Sequence, residues 1–126
     1  MADVADPDRL KYYSFSVFTQ LNGAVTAGMI HLGDRLGLYA AMAAIDAPVT
    51  TAELAERTGL DERWVREWAY NQAAAKLIAV DPEASSEAFW LTPEATALLA
   101  TPDHPAIGMG MFHPFPQTMA ALEVMP

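Results

Sequence analysis

Apolar side chains between residues 9 and 28 fall at Tyr12, Phe15, Val17, Phe18, Leu21 and Val25, spread around a helix rather than along one narrow stripe. Such a helix seeks burial on more than one side. From about Met29 to Ala44 the positions Ile30, Leu32, Leu36, Tyr39, Ala40 and Ala43 return near helical spacing, which predicts a second helix. Glycines at 28, 33 and 37 each weaken that helix by about 1 kcal/mol or mark close helix contacts.

After Pro48 the pattern becomes more specific. Thr50-Thr51-Ala52-Glu53 fits a capping box, in which Thr50 and Glu53 satisfy each other's free backbone N–H groups. A short helix to Thr58 follows, and Gly59 stands where a left-handed residue closes it. Asp61 then caps a helix expected over 62–76, with Val65, Trp68, Ala69 and Gln72 on its inner side. Ala55, Gly59 and Val65 carry the spacing of a helix-turn-helix.

Leu77 to Val80 and Ala88 to Leu91 are short apolar runs around a turn segment with Pro82, which predicts a two-stranded wing. Thr92-Pro93-Glu94 opens a further helix whose apolar side is Ala95, Leu98 and Leu99, stopped by Pro102. The expected fold is mainly α: a winged helix-turn-helix with an added N-terminal helix and a small β wing.

The tail from Pro105 to Pro126 contains Met109, Met111, Met119 and Met125 beside Phe112 and Phe115, with Glu123 its only ionised side chain. Two readings stand for it. An exposed patch of this kind marks an interface or ligand groove; alternatively it is a core helix closing the domain.

Composition narrows the function. With 126 residues, 52 % of them apolar, the chain can build one real core. A net charge of −9, from 16 acidic and 7 basic residues, repels polyanions and anionic membrane surfaces. The absence of cysteine fits a reducing, cytoplasmic setting. The acidic N-terminus does not read as a signal peptide. The longest apolar region, 21–45, is broken by Asp34 and Arg35, each costing about 2.5–3.5 kcal/mol in a bilayer, so no membrane span is expected.

A DNA-reading winged helix needs cations on the recognition helix and wing. Here Arg63, Arg66 and Lys76 are balanced by Asp61, Glu62 and Glu67, and the wing carries Asp81, Glu83 and Glu87 without a basic residue. No lysine or arginine follows Lys76. Arg63, Arg66 and Tyr70 are the side chains a DNA-binding regulator would use; the competing reading is a solvated face with Arg63 and Arg66 near Glu67 and Glu62.

Catalytic patterns are sparse. His31, His104 and His113 form no metal-ligand spacing, and His31 reads as a partly buried core residue. His113, flanked by Phe112, Pro114 and Phe115, is the histidine placed for pocket lining or general-base work. Ser14, Ser16, Ser85 and Ser86 lack evident histidine and carboxylate partners. Gly108-Met109-Gly110 has no preceding strand and no room for a dinucleotide-binding βαβ unit.

The stretches LGDRLGLYAAM at 32–42, TTAELAERTGLDERWVREWAYNQAAAKLI at 50–78 and FWLTPEATALLA at 89–100 resemble one family over residues 10–115. That family is the class I S-adenosylmethionine-dependent methyltransferases with an amino-terminal winged helix, in a bacterial branch related to small-molecule O-methyltransferases. The resemblance implies a winged helix that mediates homodimerisation through its N-terminal helices and covers the substrate pocket of a C-terminal Rossmann-like domain.

It divides the chain into a dimerisation helix at 1–28, a winged helix at 29–104 and an apolar segment at 105–126 leading to a catalytic domain. It implies S-adenosylmethionine for the parent protein but no cofactor, metal or catalytic residue in this segment. Tyr13, Phe15, Met109, Phe112, His113 and Phe115 are the side chains expected to meet substrate or partner domain. A free-standing DNA-binding regulator and a ligand-free dimeric adaptor are the alternatives.

Overall fold

Proline suits the first turn of a helix, where no backbone donor is needed. Asp6 ahead of Pro7 completes the start by accepting a 2.9 Å hydrogen bond from the Arg9 N–H. The computed structural model describes residues 4–102, 104 and 109–125. In it the first helix, α1 (Pro7–Arg35), runs unbroken for 29 residues.

The expected end of this helix at about Gly28 is therefore corrected. Gly28 and Gly33 stay helical, and the chain turns only at Gly37, whose φ of 73° suits a residue without a side chain. Gly33 is required by packing: a Cβ there would lie 2.6 Å from the Tyr39 ring and 2.8 Å from that of Trp68.

The short helix α2 (Leu38–Ile45) buries Leu38, Tyr39 and Met42 against α1 and the helix-turn-helix. Helix α3 (Thr51–Thr58) opens on the expected capping box, with both Thr50–Glu53 bonds formed, and closes at Gly59 with φ 70°. Helix α4 (Glu62–Ala74) is capped by Asp61 and buries Val65, Trp68, Ala69 and Gln72, the expected inner face. It stops two residues before the expected end because Lys76 takes a left-handed φ of 60°.

The wing is shorter than its apolar runs. Strand β1 (Ala79–Val80) pairs antiparallel with β2 (Phe89–Trp90), Ala79 opposite Trp90 and Val80 opposite Phe89. Val49 adds a bridge on the far side of Phe89 through hydrogen bonds of 2.9 and 2.8 Å, tying the wing to the start of the helix-turn-helix. Thr92 caps α5 (Pro93–Ala95), which continues as a wider π-type turn over Thr96–Ala100.

The core lies among α2, α3, α4 and Phe89, with Ile30 and Met109 closing it from α1 and the tail. One polar pair sits inside: the fully buried Gln72 amide oxygen accepts a short hydrogen bond from the Tyr39 hydroxyl. Burial, reinforced by Asp34, pushes the Tyr39 phenol well above its usual pKa.

Candidate functional site

The tail returns to α1. A 3-10 turn at Met109–Met111 leads into α6 (Phe115–Ala121), which packs against α1, and a second 3-10 turn follows at Leu122–Val124. The docking is polar as well as apolar. His31 Nδ1 lies 3.0 Å from the Phe112 carbonyl oxygen, which accepts its hydrogen bond, and His113 Nε2 lies 2.7 Å from Asp34 Oδ2. Gly28 leaves room for the Phe115 ring, whose Cε1 would be 3.9 Å from a Cβ there.

Phe112, His113 and Phe115 thus gather over the second half of α1. Met109 does not join them on the surface: it is 6 % exposed and belongs to the core. Tyr13 and Phe15 lie on the first half of α1, 71 % and 65 % exposed. At 1.5 Å per residue Tyr13 stands about 27 Å along the helix from His31. The six candidates therefore form no single site. Gly108 of the Gly108-Met109-Gly110 segment lies outside the described residues.

From Asp6 to Val25 nearly every side chain of α1 is exposed, so this half is an arm projecting from the body. Where the arm meets the body there is a groove of ≈ 700 Å³, walled by Met29 and Leu32 of α1, by Leu36 just after it, and by Trp64 and Trp68 of α4. The Trp68 indole is fixed by donating to the Met29 carbonyl at 3.0 Å, whereas Trp64 is 64 % exposed. Trp64 escaped the reading of the sequence. The signal was present, since Val65, Trp68, Ala69 and Gln72 claim the inner face and leave a tryptophan pointing outward at the first turn of α4.

The recognition-helix cations are engaged locally. Arg66 pairs with Glu62 at 2.6 Å, and the Glu62 carboxylate also accepts from the Thr51 hydroxyl at 2.8 Å. The Thr51 hydrogen bond and then Arg66 hold Glu62 below the usual carboxylate range. The Arg63 guanidinium stacks 5.3 Å from the Trp64 ring centre. The neighbouring Glu87 carboxylate of the wing raises the Tyr70 phenol pKa. Ser14 and Ser16 donate back to the carbonyls of Leu10 and Tyr12 within α1. Among the described residues no three His, Asp or Glu side chains gather as a metal site, and no helix is long and apolar enough to cross a membrane.

With this geometry in view, the comparisons decide the family. The model of the Rv2258c-like winged HTH domain matches residues 24–101. The chain belongs to that family. The matched region begins beyond the midpoint of α1 and ends after α5, so it takes in the helix-turn-helix and the wing while leaving most of the arm outside.

Solved structures carry the likeness further. The riboflavin-derivative dimethyltransferase RosA from Streptomyces davawensis is 28 % identical with a TM-score of 0.60, covering 94 % of this chain and 32 % of its own. CalO1, a methyltransferase of calicheamicin biosynthesis solved with SAH, is 26 % identical with a TM-score of 0.64, covering 90 % of this chain and 32 % of its own. Human N-acetylserotonin methyltransferase, solved with SAM, shares the fold at 16 % identity with a TM-score of 0.68, covering 94 % of this chain and 33 % of its own.

This chain therefore matches the N-terminal domain of SAM-dependent methyltransferases and spans about a third of their length. No curated protein matches its sequence significantly.

Proposed function

We propose that this chain is the amino-terminal dimerisation and substrate-lid domain of a SAM-dependent methyltransferase. The parent enzyme transfers a methyl group to a hydroxyl or other nucleophile of a small molecule. The observation that carries the proposal is the likeness to RosA and CalO1, which runs over at least 90 % of this chain but only a third of either enzyme.

Three features support the roles. The exposed apolar arm suits a homodimer contact. The cluster of Phe112, His113 and Phe115 suits a surface that meets the C-terminal domain or its substrate, and Tyr13 and Phe15 suit the same role from a second protomer. The cofactor would be held by a Rossmann-like domain, for which the two-stranded wing is no substitute. The cysteine-free chain is compatible with a cytoplasmic enzyme, and its acidic wing disfavours DNA as a partner.

The test is calorimetry with SAM, on this chain and on the polypeptide read through the coding frame past Pro126. The longer product is expected to bind SAM at micromolar concentration and this chain alone to show no heat of binding. Micromolar binding by this chain, or a frame that stops without a cofactor-binding domain, would overturn the proposal.

A further inference from the structure

Residues three or four apart return to the same side of a helix, so Asp61 at the cap of α4 shares a side with Trp64, Glu67 and Trp68. All four line the groove, opposite the apolar wall of Met29 and Leu32. Trp68 is its fixed part: the ring is buried, lies edge-on to Tyr39 at 5.2 Å between centres, and donates its N–H to the Met29 carbonyl. Trp64 stands at the mouth with most of its indole in water.

An indole with a carboxylate about one turn to either side has a chemistry of its own. Tryptophan offers the best side-chain face for a cation, and Asp61 and Glu67 add negative charge beside it. Among the described residues neither carboxylate is paired with a cation; Asp61 accepts only the Arg63 backbone N–H of the cap. Arg63 itself is stacked on Trp64, a flat, delocalised cation already held by that indole.

We infer that this groove is a binding site for a flat aromatic cation, its rings against Trp64 and the apolar wall and its charge toward Glu67 and Asp61. The volume of ≈ 700 Å³ falls within the roughly 300–1,000 Å³ of small-molecule sites. An uncharged occupant would leave both carboxylates unpaired at the edge of a desolvated contact, whereas a cation answers them. The net charge of −9 adds attraction for cations at long range and repels anions. No residue of the tail takes part, so the site stands whether or not the chain serves a methyltransferase.

The test uses three acridines of nearly one shape: N-methylacridinium, neutral acridine and the anion acridine-9-carboxylate. Each is titrated into the full chain at slightly alkaline pH and followed by calorimetry and tryptophan fluorescence. N-methylacridinium is expected to bind one per chain at micromolar concentration, several-fold tighter than acridine, with the carboxylate weakest. Trp64→Ala should weaken it several-fold and Glu67→Gln should remove most of the preference for the cation. Arg63→Ala, which frees the indole face, should strengthen it. These three positions are exposed, so the variants should keep the helical spectrum of the native chain. Glu94→Gln removes the same charge outside the groove and should have little effect. No binding, equal affinity for acridine and its cation, affinity that survives Trp64→Ala, or equal losses with Glu67→Gln and Glu94→Gln would overturn the site. Binding that disappears as the chain self-associates would overturn it too, making a second copy the occupant.

Discussion

Gly33 and Gly23 occupy the same helix and meet opposite surroundings. A methyl group at Gly33 would clash with the rings of Tyr39 and Trp68, while at Gly23 it meets nothing within 4 Å. Overpacking costs about 1–3 kcal/mol, whereas alanine gains about 0.5–1 kcal/mol over glycine in an open helix interior. Gly33→Ala is therefore expected to lower the urea midpoint and Gly23→Ala to raise it.

Tyr39 gives a second prediction at this scale. Its folded pKa is raised, mainly by burial, so its contribution is fully present below the ordinary tyrosine pKa of about 10 and is lost as pH rises beyond it. Tyr39→Phe should flatten that alkaline decline. At neutral pH it should cost about 1–3 kcal/mol, because the buried Gln72 oxygen loses its donor. Chemical denaturation at neutral and alkaline pH checks both; an unchanged alkaline slope would remove Tyr39 as its source.

Among the elements, the helix-turn-helix rests on local chemistry. Thr50→Ala removes the acceptor that Glu53 N–H uses and should cost about 1 kcal/mol in thermal or urea unfolding. Hydrogen bonds from the Thr50 backbone and hydroxyl keep the Glu53 carboxyl below its usual range, so the cap supports α3 above the ordinary carboxylate pKa and weakens as pH falls through the lowered value. Thr50→Ala should reduce that acid sensitivity.

Such caps are legible in a sequence because all their partners lie within three residues. The end of α1 was not legible in the same way. Glycines 28, 33 and 37 look equivalent along the chain, and only neighbours far away in sequence distinguish them: Phe115 beside the first, Tyr39 and Trp68 against the second, and an open left-handed turn at the third. Likewise the His31–Phe112 and His113–Asp34 contacts join residues about eighty positions apart, which no local pattern encodes. The Val49 bridge to Phe89 was hidden for that reason too, Pro48 having suggested only a helix end.

For the whole molecule, charge distribution gives the most direct expectation. Arg66 is paired, Arg63 stacks on Trp64, and the wing is acidic, so fluorescence anisotropy should find no salt-sensitive binding to duplex DNA at low ionic strength. Binding that weakens steeply with added salt and with Arg66→Ala would restore the regulator reading.

The uninterrupted length of α1 has a mechanical consequence. Because no joint separates the projecting half from the half that grips Trp68, the helix acts as a splint that sets both reach and phase. One inserted residue near Gly23 would push the tip outward by about 1.5 Å and swing it by about 100°, scrambling the alignment of everything beyond. Seven inserted residues, close to two full turns, would lengthen the projection while nearly restoring its azimuth.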